Sequence, residues 1–137
     1  MRIDPLFGEL QSSPARNGPL HLWVAKGVFP PTAAEVEYQF QAPADGPTEE
    51  QRGLLDRIHR KYTEFGPVAL QMVAGYFAQQ SPDQNAIEAA GLKLVSVYVP
   101  PKEDIAMEWD LTYQVEETGE EFMVDMRGWT PVSVTDA

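Results

Sequence analysis

The chain has 137 residues, enough to build one core and too few for two. It contains no cysteine, which excludes disulfides, a thiolate nucleophile and a thiolate metal site. Twenty-one acidic residues against ten basic ones give a net charge of −11, at odds with the basic face that a nucleic-acid binder needs.

The first third reads as strands. Residues 6–13 form a weak strand ended by Pro14-Ala15-Arg16-Asn17-Gly18, where Asn17-Gly18 suits a hairpin because both residues tolerate positive φ. Leu20, Leu22 and Val24 then alternate with His21, Trp23 and Ala25, a period of two that puts the aliphatic set inward and Trp23 on the polar side. Pro30-Pro31 breaks the pairing. Val36, Tyr38 and Phe40 alternate with Glu35, Glu37, Gln39 and Gln41 as a half-buried strand.

The middle reads as helices. Thr48-Glu49-Glu50-Gln51 is a capping box, with two acids in the first turn. Leu54, Leu55, Ile58 and Tyr62 form one apolar stripe, and Leu70, Val73, Ala74 and Phe77 a second, with Tyr76 beside it. Gly66-Pro67 between them predicts a stop, hence two helices over about 48–65 and 67–80. A short turn or helix over about 82–90, capped by Gly91, is expected to follow.

The last third returns to strands. Residues 92–99 are β-branched and end at Pro100-Pro101. Over 104–115, Ile105, Met107, Trp109, Leu111, Tyr113 and Val115 face one way, and Asp104, Ala106, Glu108, Asp110, Thr112 and Gln114 the other. After a turn at 116–120, Phe122, Val124 and Met126 alternate again, and Val132 with Val134 forms a short final strand. Strands, helices, strands implies an α+β fold: one domain over 1–137, its antiparallel sheet built from the N-terminal and C-terminal strands and packed by the two central helices.

Charge is unevenly spread. Residues 103–137 hold ten acids and a single base, Arg127, so −9 of the net −11 lies in the last quarter. If 104–115 and 121–127 pair as a hairpin, Glu108, Asp110, Glu121 and Asp125 share its outward face. Like charges across a strand pair destabilise it, so such a face is either fully solvated or reserved for a basic partner. No calcium-loop spacing accompanies these acids. Arg52, Arg57, Arg60 and Lys61 share the first helix with Glu49, Glu50, Asp56 and Glu64; Glu49–Arg52, Asp56–Arg60 and Arg60–Glu64 fall at contact spacings, and the face reads as self-compensated.

Catalytic groups are scarce. His21 and His59 have no ligand spacing, no serine lies in a Gly-x-Ser-x-Gly elbow, and the scattered glycines form neither a phosphate loop nor a dinucleotide fingerprint. No cofactor, metal or catalytic residue is expected. Trp109, Tyr113 and Phe122 fall on inward positions, whereas Trp23, on the polar side of its strand, and Trp129, in the turn 127–131, are candidate contact residues, since tryptophan desolvates a large area on binding. No apolar run reaches the roughly 20 residues that span a bilayer. Met1-Arg2-Ile3-Asp4-Pro5 lacks the basic-then-apolar layout of a signal peptide, so cytoplasmic residence without membrane association is expected.

The order of hairpin strands, a helix opened by Thr48-Glu49-Glu50-Gln51, a second helix, and then strands with Glu108-Trp109-Asp110, Phe122-Met123-Val124 and Pro131-Val132-Ser133-Val134 resembles, over about 48–134, a group of small bacterial domains of unknown function. Members often carry Glu-His-Gly after the Trp-Asp pair, where this chain has Leu111-Thr112-Tyr113. Some members are thought to be immunity proteins, and the resemblance implies a non-enzymatic binding role without catalytic residues. The expected function is therefore protein–protein binding, immunity-like toward a basic toxin, through the acidic C-terminal hairpin face (Glu108, Asp110, Glu121, Asp125) with Trp23 and Trp129. Two alternatives remain open at this stage. One is a small hydrolase or metal-assisted enzyme using a histidine and a carboxylate, which requires both in one concave pocket. The other is a homodimeric assembly protein joined through a free strand edge or Trp23.

Overall fold

The structure, a computed structural model, describes residues 2–17, 19–80 and 91–137. Four strands come first: β1 (Arg2–Asp4), β2 (Gly8–Asn17), β3 (Leu20–Phe29) and β4 (Ala34–Ala42). One helix, α1 (Glu49–Gln80), follows, then β5 (Leu92–Val99), β6 (Glu108–Val115), β7 (Glu121–Arg127) and β8 (Thr130–Asp136). All eight strands form a single sheet in chain order. Neighbours are antiparallel except β4 and β5, which run parallel with Gln39 opposite Tyr98. The sheet is therefore mixed, correcting the antiparallel α+β expectation: the helix carries the chain back along one face between β4 and β5, and such a crossover returns the next strand in the same direction. The expected turn over 82–90 lies outside the described residues, as does Gly18.

The two expected helices are one, and the fold is a sheet with a single covering helix. The buried residues Leu54, Leu55, Ile58, Tyr62, Phe65, Ala69, Val73 and Phe77 continue at helical spacing across Gly66-Pro67, so stopping there would expose half the stripe. Pro67 deprives the Thr63 carbonyl of its intrahelical donor, but both residues lie on the exposed side, where water serves that oxygen. Gly66 is needed for packing: a Cβ there would lie 2.8 Å from the Tyr62 ring, which folds over the glycine. The capping box forms in full, with the Gln51 N–H donating to Thr48 Oγ1 and the Thr48 N–H to Gln51 Oε1, both at 3.1 Å.

The N-terminal half of the helix covers the first four strands. Tyr62 packs edge-on against Phe29, and Gln51 Nε2 donates to the Gln41 carbonyl. Arg52 reaches the buried Asp4 at 2.7 Å. Burial pulls the Asp4 carboxyl upward, but the N–H groups of Phe7 and Leu6 together with the Arg52 guanidinium outweigh this and hold it below the usual value. The C-terminal half covers the other four strands, through Phe65 on Trp109 and through Tyr76 and Phe77 on Phe122.

Strand faces follow from this coverage. Val36, Tyr38 and Phe40, and Trp109, Leu111, Tyr113 and Val115, face the helix. On β3 the expected faces are reversed. Trp23 (6% exposed) and Ala25 lie under the helix side, while Leu20, Leu22 and Val24 are half-buried on the other face. Trp23 pairs with Phe40, their rings stack, and its indole N–H donates to the Pro43 carbonyl. Apolar count favours the aliphatic set, but the larger ring fills the space under the helix. Two boundaries also shift. β2 runs on through Pro14 to Asn17 with an irregularity between Ser12 and Arg16, and β6 begins at Glu108 rather than at 104.

Replacing Pro67 by alanine restores a donor to the Thr63 carbonyl on an exposed face and removes an interior helix proline. The expected gain is about 1–2 kcal/mol in urea unfolding, part of the roughly 3 kcal/mol an interior proline costs relative to alanine. A loss of stability would show that the helix needs a break at this point.

Candidate functional site

No helix or strand among the described residues packs on the face of the sheet away from the helix, where Asp110 and Asp125 are half-buried and Thr112 is buried. The strand register aligns one row of side chains across the centre of this face. Gln39 on β4 opposes Tyr98 on β5, Tyr98 opposes Asp110 on β6, Asp110 opposes Asp125 on β7, and Asp125 opposes Ser133 on β8. Five consecutive strands thus place a phenol, two carboxylates and a hydroxyl side by side.

The two carboxylates are unequal. Ser133 Oγ donates to Asp125 Oδ2 at 2.8 Å. Asp110 is half-buried between Tyr98 and Asp125, and burial first, the Asp125 charge second, push its carboxyl up to about 6. The Tyr98 phenol is raised as well, by burial and then by Asp110. Next along the hairpin, Glu108 opposes Arg127 at 3.8 Å; both are well exposed, and the pair adds little stability. A cleft of about 270 Å³ lies between Glu108, Asp125, Arg127, Val132 and Ser133.

Beside this cleft the β5–β6 loop, residues 100–107, is pinned at both ends of its turn. Asp104 Oδ1 accepts the Ala106 N–H at 3.0 Å, and the Asp104 carbonyl accepts the Met107 N–H at 3.1 Å. Gly128, at φ 57°, donates its N–H to the Met107 carbonyl at 2.8 Å, and its carbonyl accepts the Trp109 indole N–H at 2.7 Å. A Cβ on Gly128 would lie 2.5 Å from the Ile105 carbonyl oxygen, so only glycine lets loop and turn meet. Ile105 is left 95% exposed, correcting its expected inward position: residues 104–107 form a turn, so strand alternation does not reach them. Arg57 of the helix holds Glu103 by an ion pair. A second cleft, about 410 Å³, runs beside the loop past Glu50, Pro101, Asp104 and Glu108. A third, about 600 Å³, lies between Glu103, Asp104, Ile105, Arg57 and Trp129.

Of the residues singled out from the sequence, Glu108, Asp110, Glu121 and Asp125 do lie on one face. Asp110 and Asp125 are direct neighbours and Glu108 is adjacent, but Glu121 opposes Gln114 at the far end of the hairpin, four residues or about 13 Å along β7 from Asp125. Trp23 is on the opposite, helix-covered face and presents no surface to a partner. Trp129 is half-buried, its ring packed on Phe65 and Trp109 with the Lys61 ammonium 5.4 Å from its centroid. Tyr98, Ser133 and Ile105 were not anticipated. Strand pairing alone brings the first two to the aspartates, whereas Pro100-Pro101 followed by Asp104 was a readable loop signal for the third.

Neither histidine lines any of these clefts. His59 Nε2 lies 3.0 Å from Tyr38 Oη, which donates its own proton to the Val28 carbonyl, so the imidazole is the donor at Nε2. Burial lowers the His59 pKa to about 4, against a smaller upward pull from Asp56. The ring is a neutral core member. Among the described residues no group of three or more His, Asp or Glu side chains is arranged to hold a metal ion, and no helix is long and apolar enough to cross a membrane. Comparison with models of protein families, with curated protein sequences and with solved structures returns no match for this chain.

The two shifted groups act on stability in opposite directions. Asp110, raised from 3.8 to about 6 in the folded chain, adds stability that is full below pH 3.8 and lost as pH rises through about 6. His59, lowered from 6.5 to about 4, adds stability that is full above pH 6.5 and lost as pH falls through about 4. Asp110→Asn removes the first slope. The variant is expected to be more stable at pH 7.5 by about 1 kcal/mol, the scale of a cross-strand like-charge pair. It should also lose stability more steeply than the parent on acidification from pH 6.5 to 4. Urea titrations across this range check both; an unchanged pH profile would place the carboxyl in water.

Proposed function

We propose that this chain is a protein-recognition module that binds a basic partner protein through the acidic end of its uncovered sheet face. The observation that carries the reading is the direct opposition of Asp110 and Asp125 on adjacent strands. Such a pair raises the energy of the free protein, and a partner's lysine or arginine placed between the two carboxylates relieves it. Further support comes from the concentration of charge, with Arg127 the sole base in 103–137 and already engaged by Glu108. Electrostatic complementarity of this kind accelerates association and makes binding sensitive to salt. An immunity-like role, in which a small acidic protein occludes a basic toxin, is one form of this function. The enzyme alternative gains no support from the three clefts described, since none of them brings a histidine together with a carboxylate.

The expected result is that the immobilised chain retains from lysate a protein of basic isoelectric point that elutes with rising salt. The triple variant Asp110→Asn, Glu121→Gln, Asp125→Asn should fold and retain about tenfold less or lower still, the change expected when a buried charge pair across an interface loses one partner. Equal retention by parent and variant would overturn the reading.

A further inference from the structure

Ile105, at 95%, is the most exposed large aliphatic side chain among the described residues, ahead of Ile3 at 71% and Val28 at 56%. Ile105 is also not at the tip of a slack loop. Its peptide is seated against Gly128, the turn beneath it is closed by Asp104, and the next turn of chain is tied to Gly128 through Met107. Gly128 is fixed in turn by the buried Trp109 indole. A side chain presented this way loses little backbone freedom on binding, so nearly all the apolar area it buries contributes to affinity. Its surroundings carry more acid than base: Glu50, Asp104 and Glu108 line the adjoining clefts with Lys102, and Glu103 is paired with Arg57. Glu108 borders both the cleft beside this loop and the cleft containing Asp125 and Ser133, so the loop and the acidic face form one surface. Half-buried Trp129 and half-exposed Val132 extend the apolar part of that surface around the β7–β8 turn.

We propose that Ile105 is the apolar anchor of this surface, entering a hydrophobic pocket of the basic partner protein whose rim carries lysine or arginine. The inference rests on the recognition role argued above and names the contact that supplies affinity, where the carboxylates supply rate and selectivity. Apolar anchors ringed by charges that exclude water are the usual anatomy of a binding hot spot. A second copy of this chain does not fit, because docking two surfaces of the same strong negative charge brings like charges together without relief.

The test uses the full-length chain and a random-peptide library displayed on phage. Peptides enriched on the parent should combine an apolar residue with lysine or arginine. Their affinity should fall about tenfold or more for Ile105→Ser, the scale of a hot-spot truncation. Thermal unfolding of Ile105→Ser should match the parent, since the side chain touches no core. Unchanged peptide binding to Ile105→Ser, or no enrichment on the parent, overturns the anchor. Loss for Ile105→Ser with full binding by the Asp110→Asn, Asp125→Asn variant retains the anchor and overturns the acidic reading; the reverse pattern does the opposite. Self-association of the parent in light scattering that Ile105→Ser abolishes would assign the surface to a second copy and overturn the proposal.

Discussion

One helix has to cover an eight-stranded sheet. A helix of 32 residues is about 48 Å long, more than the roughly 34 Å that seven spacings of about 4.8 Å span across eight strands. The apolar stripe from Leu54 to Phe77 runs straight through Gly66-Pro67, and the aromatic contacts on each side of that point anchor the two halves of the sheet. Burial of this stripe outweighs the missing hydrogen bond of one proline. The parallel pairing of β4 with β5, which joins the two four-stranded meanders, depends on the same unbroken crossover.

Among the described residues one helix covers one face of the sheet, and no element packs on the other. That asymmetry explains why acidic side chains can line up across β6 and β7. On the covered face an aspartate pair would lack water and partners; on the open face Asp125 finds the Ser133 hydroxyl and Asp110 remains half-solvated with a raised pKa. The strain of the pair is tolerated because the core beneath it is strong. Leu111 and Val124, one residue along from the pair on the helix side, are fully buried. His59 lies on the covered side, in hydrogen-bond contact with Tyr38.

The Glu108–Arg127 end of the hairpin is organised by Gly128. Its N–H, its carbonyl and the empty space where a Cβ would stand serve three separate contacts, to Met107, Trp109 and Ile105. A single residue thus couples the β5–β6 loop, the β7–β8 turn and the core tryptophan. The consequence is a surface whose exposed apolar groups are fixed in place by buried ones.

From the residues alone, period-two alternation assigned the buried faces of β4, β6 and β7, because each face there contrasts strongly in polarity. The capping box marked the helix start, and the acids at 108, 110, 121 and 125 were placed on one face. Alternation reports faces, not neighbours, so it gave no sign that Tyr98 and Ser133 flank the aspartates or that β4 pairs parallel with β5. Nor did it choose the covered side of β3, where both sets are apolar and the volume under the helix selected Trp23 over Leu22. Local stop signals at Gly66-Pro67 and a strand pattern beginning at Ile105 were both overruled by tertiary structure. In the first case a continuous core stripe was worth more than one backbone bond. In the second, pinning by Gly128 turned the chain before the strand began.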